Sequence, residues 1–211
     1  MYVSAMDTYV PITPDPNPDD IERRFKHPTL TKIEDEPDYK QMCIVREELF
    51  RNAITIKSTF GGKKHGHLRS IQRPAVYQTE AGQAWTILTS GGMYPTFSVK
   101  ATDEEKKREF AEFINRETHI NIAELVEELL NNQRLNAVSE EYYMELRQGM
   151  LQYDGVSTSD LLEHIFTNYA IIDDALLIKN KRDFEAPPDL SRPINVYFKK
   201  KEECKRLAAD G

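Results

Sequence analysis

The chain has 211 residues, 39% of them apolar and 30% charged, with a formal net charge of −7 and a mean hydropathy of −0.61. That length allows one globular domain with a core plus an extended arm, while the polarity is too high for the whole chain to pack. The acidic balance excludes a nucleic-acid clamp along the full length, since phosphate binding is dominated by Lys and Arg, and no apolar run approaches the ~20 residues that span a bilayer.

Met1 to Pro18 has neither a basic region nor an apolar region of the signal-peptide kind, so the protein is expected inside the cell, in the cytoplasm or the nucleus, with no membrane partner. Its two cysteines, Cys43 and Cys204, lie far apart without metal-ligand spacing. No structural disulfide is expected.

Residues 1–38 hold Pro11, Pro14, Pro16, Pro18, Pro28 and Pro37 among acidic residues. Proline removes backbone donors and the acids offer little to bury, so this stretch is expected to be an extended, largely disordered arm that proteolysis trims first. From Tyr39, the apolar positions Met42, Val45, Leu49, Ala53 and Ile56 recur at three- and four-residue spacing, which predicts a helix over 39–57. Gly61 and Gly62 stop it. Residues 58–100 are rich in Gly and Pro without a helical period and read as a loop region, with short strands at Val76–Gln78 and Trp85–Leu88.

Helical signals dominate 102–211. Thr102 and Glu105 have capping-box spacing ahead of Phe110, Phe113 and Ile114, and Asn121 with Glu124 offers a second start, so a break is expected near Thr118–Asn121. Ser139 opens a short helix carrying Tyr143, Leu146 and Met150. Ser157 and Asp160 open the best-patterned one, with Leu161, Leu162, Ile165, Phe166 and Tyr169 on one stripe, a core or protein-contact face. Phe166 sits at its centre, and full burial there would make Phe166→Ala cost roughly 3–5 kcal/mol. Asp173 caps a further helix through Leu176 and Leu177, and Pro193 starts the last, with Ile194, Tyr197 and Leu207. The expected fold is all-α, six to seven mostly short helices with an extended N-terminal arm and a Gly-rich loop region.

Phosphate-binding, dinucleotide, zincin, nucleophile-elbow and zinc-finger signatures are all missing from the sequence, so no catalytic residue, cofactor, metal or small-molecule substrate is expected. Acid pairs such as Glu104 and Glu105 sit in first turns, where carboxylates suit the helix dipole. From Arg51 to Arg73 the bases Arg51, Lys57, Lys63, Lys64, Arg69 and Arg73 meet no Asp or Glu. Within that segment, FGGKKHGHL from Phe60 to Leu68 combines glycines, which let backbone amides approach an anion, with Lys63, Lys64, His65 and His67. Lys57, Lys63, Lys64, His65, His67, Arg69 and Arg73 are therefore the candidate nucleic-acid contacts. The alternative is a buried structural loop in which His67 and Leu68 tuck inward.

The string PTLTKIE from Pro28 to Glu34, then Asn52, Ala53, Ile56, Ser58, Gly61, Gly62 and HGHL from His65 to Leu68, resembles Gag-like proteins of copia-type LTR retrotransposons, in the form abundant in diatoms and related algae. So do Tyr142 and Tyr143 with Leu146 and Arg147, the stretch LLEHIFTNY from Leu161 to Tyr169, and Pro193, Ile194 and Phe198. Arg69 stands where family members often carry a small residue. The resemblance implies a non-enzymatic, capsid-like helical domain over 102–211, with a core from Thr102 to Tyr169, whose copies associate and enclose or contact element RNA. The alternative is a stand-alone nucleic-acid-binding or regulatory module.

Overall fold

In the computed structural model, residues 17–58, 65–82, 94–98, 100–153, 155–189 and 191–210 are described. Among them are seven α-helices and no strand: α1 (Pro18–Glu22), α2 (Tyr39–Thr55), α3 (Pro74–Ala81), α4 (Asp103–Ala137), α5 (Thr158–Asn168), α6 (Asp174–Glu185) and α7 (Ile194–Asp210). The chain is mainly helical, as its periodicity predicts. No helix among the described residues is long and apolar enough to cross a membrane.

Caps fix most of the starts. The Asp38 side chain accepts from Gln41 N while Gln41 reaches back, Thr102 and Glu105 do the same for α4, and Ser157 and Asp173 accept from Asp160 N and Leu176 N. Each satisfies donors that the first turn leaves open. α4 runs unbroken where a break near Thr118–Asn121 was expected. No Gly or Pro interrupts it, and the Thr118 hydroxyl donates to the Ile114 carbonyl at 2.9 Å, so this threonine is satisfied inside the helix instead of ending it. Residues 76–78 lie in α3 rather than in a strand. Pro74 stands in its first turn and Gly82, at φ 63, closes it in the left-handed conformation. The Trp85–Leu88 strand lies outside the described residues.

The core forms where α2, α4 and α5 meet. Met42, Val45, Leu49 and Ala53 of α2, Val126 and Leu130 of α4, and Leu161 and Ile165 of α5 are all fully buried. Burial of such side chains contributes about 1.5–3 kcal/mol each. The core therefore extends beyond Thr102–Tyr169, because the stripes of α4 and α5 close only with α2 against them.

The expected arm is corrected over residues 17–38. Its first sixteen residues lie outside the described ones, but Ile21, Phe25, Leu30 and Ile33 belong to the buried cluster. Asn52, fully buried on α2, accepts from His27 N at 2.8 Å and donates to His27 O at 2.8 Å and to Gln133 Oε1 at 2.9 Å. Gln133 of α4 donates in turn to Pro28 O at 2.9 Å. Two amides thus satisfy the irregular backbone at His27 and Pro28. Averaging over the whole segment conceals these four apolar anchors.

The helix expected from Ser139 is replaced by three 3-10 turns, Glu140–Tyr142, Met144–Leu146 and Gly149–Leu151. Tyr143 turns inward between the first two, at φ −142, which no continuous helix permits. After α5, helices α6 and α7 pair as a hairpin. Asn180 donates to Cys204 O at 2.8 Å, and Lys201 donates to Ala186 O at 3.0 Å while lying against the Phe184 and Tyr197 rings. A lysine over the last carbonyls of α6 suits the negative end of its dipole.

Candidate functional site

Within the candidate anion-binding segment, Gly66 has a φ of 48, which places it in the left-handed region. A Cβ there would lie 2.4 Å from Ala53 O, 2.8 Å from the Ile54 Cα and 2.8 Å from Ile56 O. The turn is therefore wedged against the end of α2, and His67 N donates to Ala53 O at 2.8 Å. The 3-10 turn Leu68–Ser70 then carries Leu68 and Ile71 into the core cluster.

Burial decides what the polar residues of this segment can reach. His67 is 1% exposed. Its pKa is pulled down to about 4, mainly by burial with help from the Arg69 charge, against a backbone contact with Lys57 that favours the charged form. Arg69 is also buried. Loss of solvent draws its guanidinium below the ordinary value, opposed by Glu127 and Tyr77, and the same burial raises Glu127. Arg73 is exposed and forms an ion pair with Glu163 of α5. Lys57 is exposed and His65 half-buried, whereas Lys63 and Lys64 lie outside the described residues.

The seven candidates are thus not one cationic face. His67 and Arg69 point into the fold, for a reason that spacing cannot register: the glycine that suggested an anion cradle instead lets the backbone approach α2. A cleft of about 530 Å³ does open beside them, lined by Arg69 and Arg73 together with Glu124, Glu127 and Asp160. Its bases share the lining with carboxylates of the same chain, which does not suit a polyphosphate backbone.

On α5, Leu161, Leu162 and Ile165 are core. Phe166 and Tyr169 are half-buried at its rim, Phe166 edge-on to Tyr39 at 5.9 Å with the Arg46 guanidinium 4.8 Å above its ring, and Tyr169 against Tyr142 at 5.1 Å. Phe166→Ala is accordingly expected to cost about 1–2 kcal/mol, below the loss expected for full burial. Urea unfolding measures this, and a loss above about 3 kcal/mol would place Phe166 in the core proper.

Sequence reasoning passed over Arg134. It is 0% exposed on α4, its guanidinium lies 4.9 Å from the Tyr143 ring centre, and none of its nitrogens has a hydrogen-bond partner. Burial draws its pKa down to about 10. An arginine within a polar run gives no sign of this, since the Tyr143 ring that lies against it comes from beyond the end of α4. An uncompensated buried charge is costly, so Arg134→Met is expected to raise stability by about 1–2 kcal/mol. Thermal unfolding checks it, and a lower melting temperature would mean that the contact with Tyr143 outweighs desolvation.

Among the described residues no group of three or more His, Cys, Asp or Glu is placed to hold a metal ion. In comparisons with known proteins, no family model, no curated protein and no solved structure matches the chain. One apolar surface among the described residues is the α6–α7 hairpin, where Ile178, Ile194 and Phe198 stand in solvent.

Proposed function

We propose that this chain is a Gag-like structural protein whose copies associate through apolar surfaces, catalysing no reaction, inside the cell. One observation carries the reading. α6 and α7 pair chiefly with each other, and the hairpin leaves Ile194 57% and Phe198 60% exposed. A two-helix hairpin buries little surface alone, so a further apolar partner stabilises it. Another copy is the partner that the resemblance implies, and no charge barrier opposes it on α7, where bases outnumber acids on a chain whose total is −7.

The RNA contact that belongs to the same reading rests on Lys57, Lys63 and Lys64. The burial of His67 and Arg69 withdraws them from it. Light scattering and negative-stain microscopy of the purified chain over a concentration series test the proposal. Mass that rises with concentration, with discrete particles, is the expected result. A monomer at every concentration would overturn it, and a monomer with salt-sensitive RNA binding would establish the stand-alone nucleic-acid module instead.

A further inference from the structure

The segment between α4 and α5 holds an apolar tip in water on a fixed backbone. Tyr143 donates to Leu135 O at 3.1 Å and its ring meets Tyr153 edge-on at 5.1 Å, while the Tyr153 hydroxyl donates to Glu140 at 2.8 Å. Gln148 N donates to Gln152 O at 2.7 Å across the tip, with Gly149 and Gln152 at φ 48 and 53. A glutamine at positive φ is strained and persists only where its surroundings impose it. What this backbone presents is Met150, 98% exposed, flanked by exposed Leu151 and Met144. From Glu140 to Gln152 the charges are Glu140, Glu141 and Glu145 against Arg147 alone.

α7 has the opposite charge and the same need for cover. Ile194 and Phe198 are exposed one turn apart, and Lys205 lies further along the same strip. The helix carries Lys199, Lys200, Lys201, Lys205 and Arg206 against Glu202, Glu203 and Asp210, and it keeps a positive excess although Lys205 pairs with Glu202 at 3.3 Å and Lys200 with Asp183 at 2.8 Å. An acidic loop with an apolar tip and a basic helix with an apolar strip complement each other in both respects.

We propose that the Glu140–Gln152 loop of one copy docks on the α6–α7 hairpin of a second copy, with Met150 and Leu151 against Ile194 and Phe198 and Glu145 facing Lys205. This rests on the self-association reading and gives it a direction. The two surfaces differ, so the contact is heterologous and repeats from copy to copy until rotation closes it.

Complementation between two defective variants of the full chain tests this. Met150→Ser with Leu151→Ser disables the loop, and Ile194→Ser with Phe198→Ser disables the hairpin. In light scattering each variant alone is expected to be monomeric, and an equimolar mixture is expected to form a heterodimer of twice the monomer mass, because one intact loop then meets one intact hairpin. A wild-type chain that is itself monomeric overturns this proposal together with the self-association reading. A wild type that associates while the loop variant does so equally, or a mixture that stays monomeric, overturns the docking alone. Should a serine variant lose its cooperative melt, Glu145→Lys and Lys205→Glu, both at exposed positions, carry the same comparison. Each weakens association, their mixture restores it, and a mixture no stronger than either alone overturns the pairing.

Discussion

Gly66→Ala is expected to remove more than about 4 kcal/mol of stability, enough to leave a chain of ordinary stability largely unfolded. Two effects add. An L-residue at the Gly66 φ of 48 costs about 1–2 kcal/mol by itself. The new methyl would also lie within 2.4 to 2.8 Å of Ala53 O, the Ile54 Cα and Ile56 O. All three are backbone atoms, so no side chain can swing away, and either the turn leaves α2 or α2 unwinds at its end. The first route breaks the hydrogen bond from His67 N to Ala53 O and lifts Leu68 and Ile71 from the core. Urea unfolding decides the size. A loss of only about 1–2 kcal/mol, the conformational cost alone, would show that the turn relaxes without disturbing the core.

The second large effect is acid destabilisation through His67. Its folded pKa is about 4 against an ordinary 6.5. The unfolded chain therefore takes up a proton in a range where the folded chain does not. The stabilisation is complete above pH 6.5, declines as the pH falls from 6.5 to about 4, and is gone below that. The full shift corresponds to about 3 kcal/mol. The upper part of this window lies above the range in which ordinary carboxylates titrate, which separates His67 from general acid unfolding. Urea midpoints at about pH 7 and about pH 5 should differ for the wild type and converge for His67→Gln. An unchanged midpoint in the wild type would mean that the imidazole is hydrated or finds an acceptor on protonation.

These two positions show what a motif carries and what it hides. HGHL was legible as a special segment, because a glycine between histidines beside two lysines is no ordinary helix or strand. Its direction was not legible. An anion cradle and a wedge under a helix end both need a residue without Cβ, and only the position of Ala53 O distinguishes them. Arg69 and Arg134 repeat the point, since an arginine is written the same way whether it faces water, Glu127 or the ring of Tyr143. The candidate contacts on the basic segment were chosen by charge, and burial is a property of the surroundings.

By itself the sequence determined the helical class, the capped starts at Thr102, Ser157 and Asp173, and the buried stripe Leu161, Leu162 and Ile165. These depend on interactions within about four residues, which periodicity and side-chain chemistry express directly. Only the tertiary structure decided that Ile21, Phe25, Leu30 and Ile33 anchor the supposed arm and that the segment after Ser139 breaks into 3-10 turns around Tyr143. It also decided that Met150 and Phe198 stay in water while Arg134 does not. The anchoring of the N-terminal segment is settled by groups tens of residues away, Asn52 and Gln133, and the turns around Tyr143 by contacts with Leu135 and Tyr153 that lie beyond one helical turn. Local composition holds no record of which distant side chain will supply the missing hydrogen bond or the missing apolar cover.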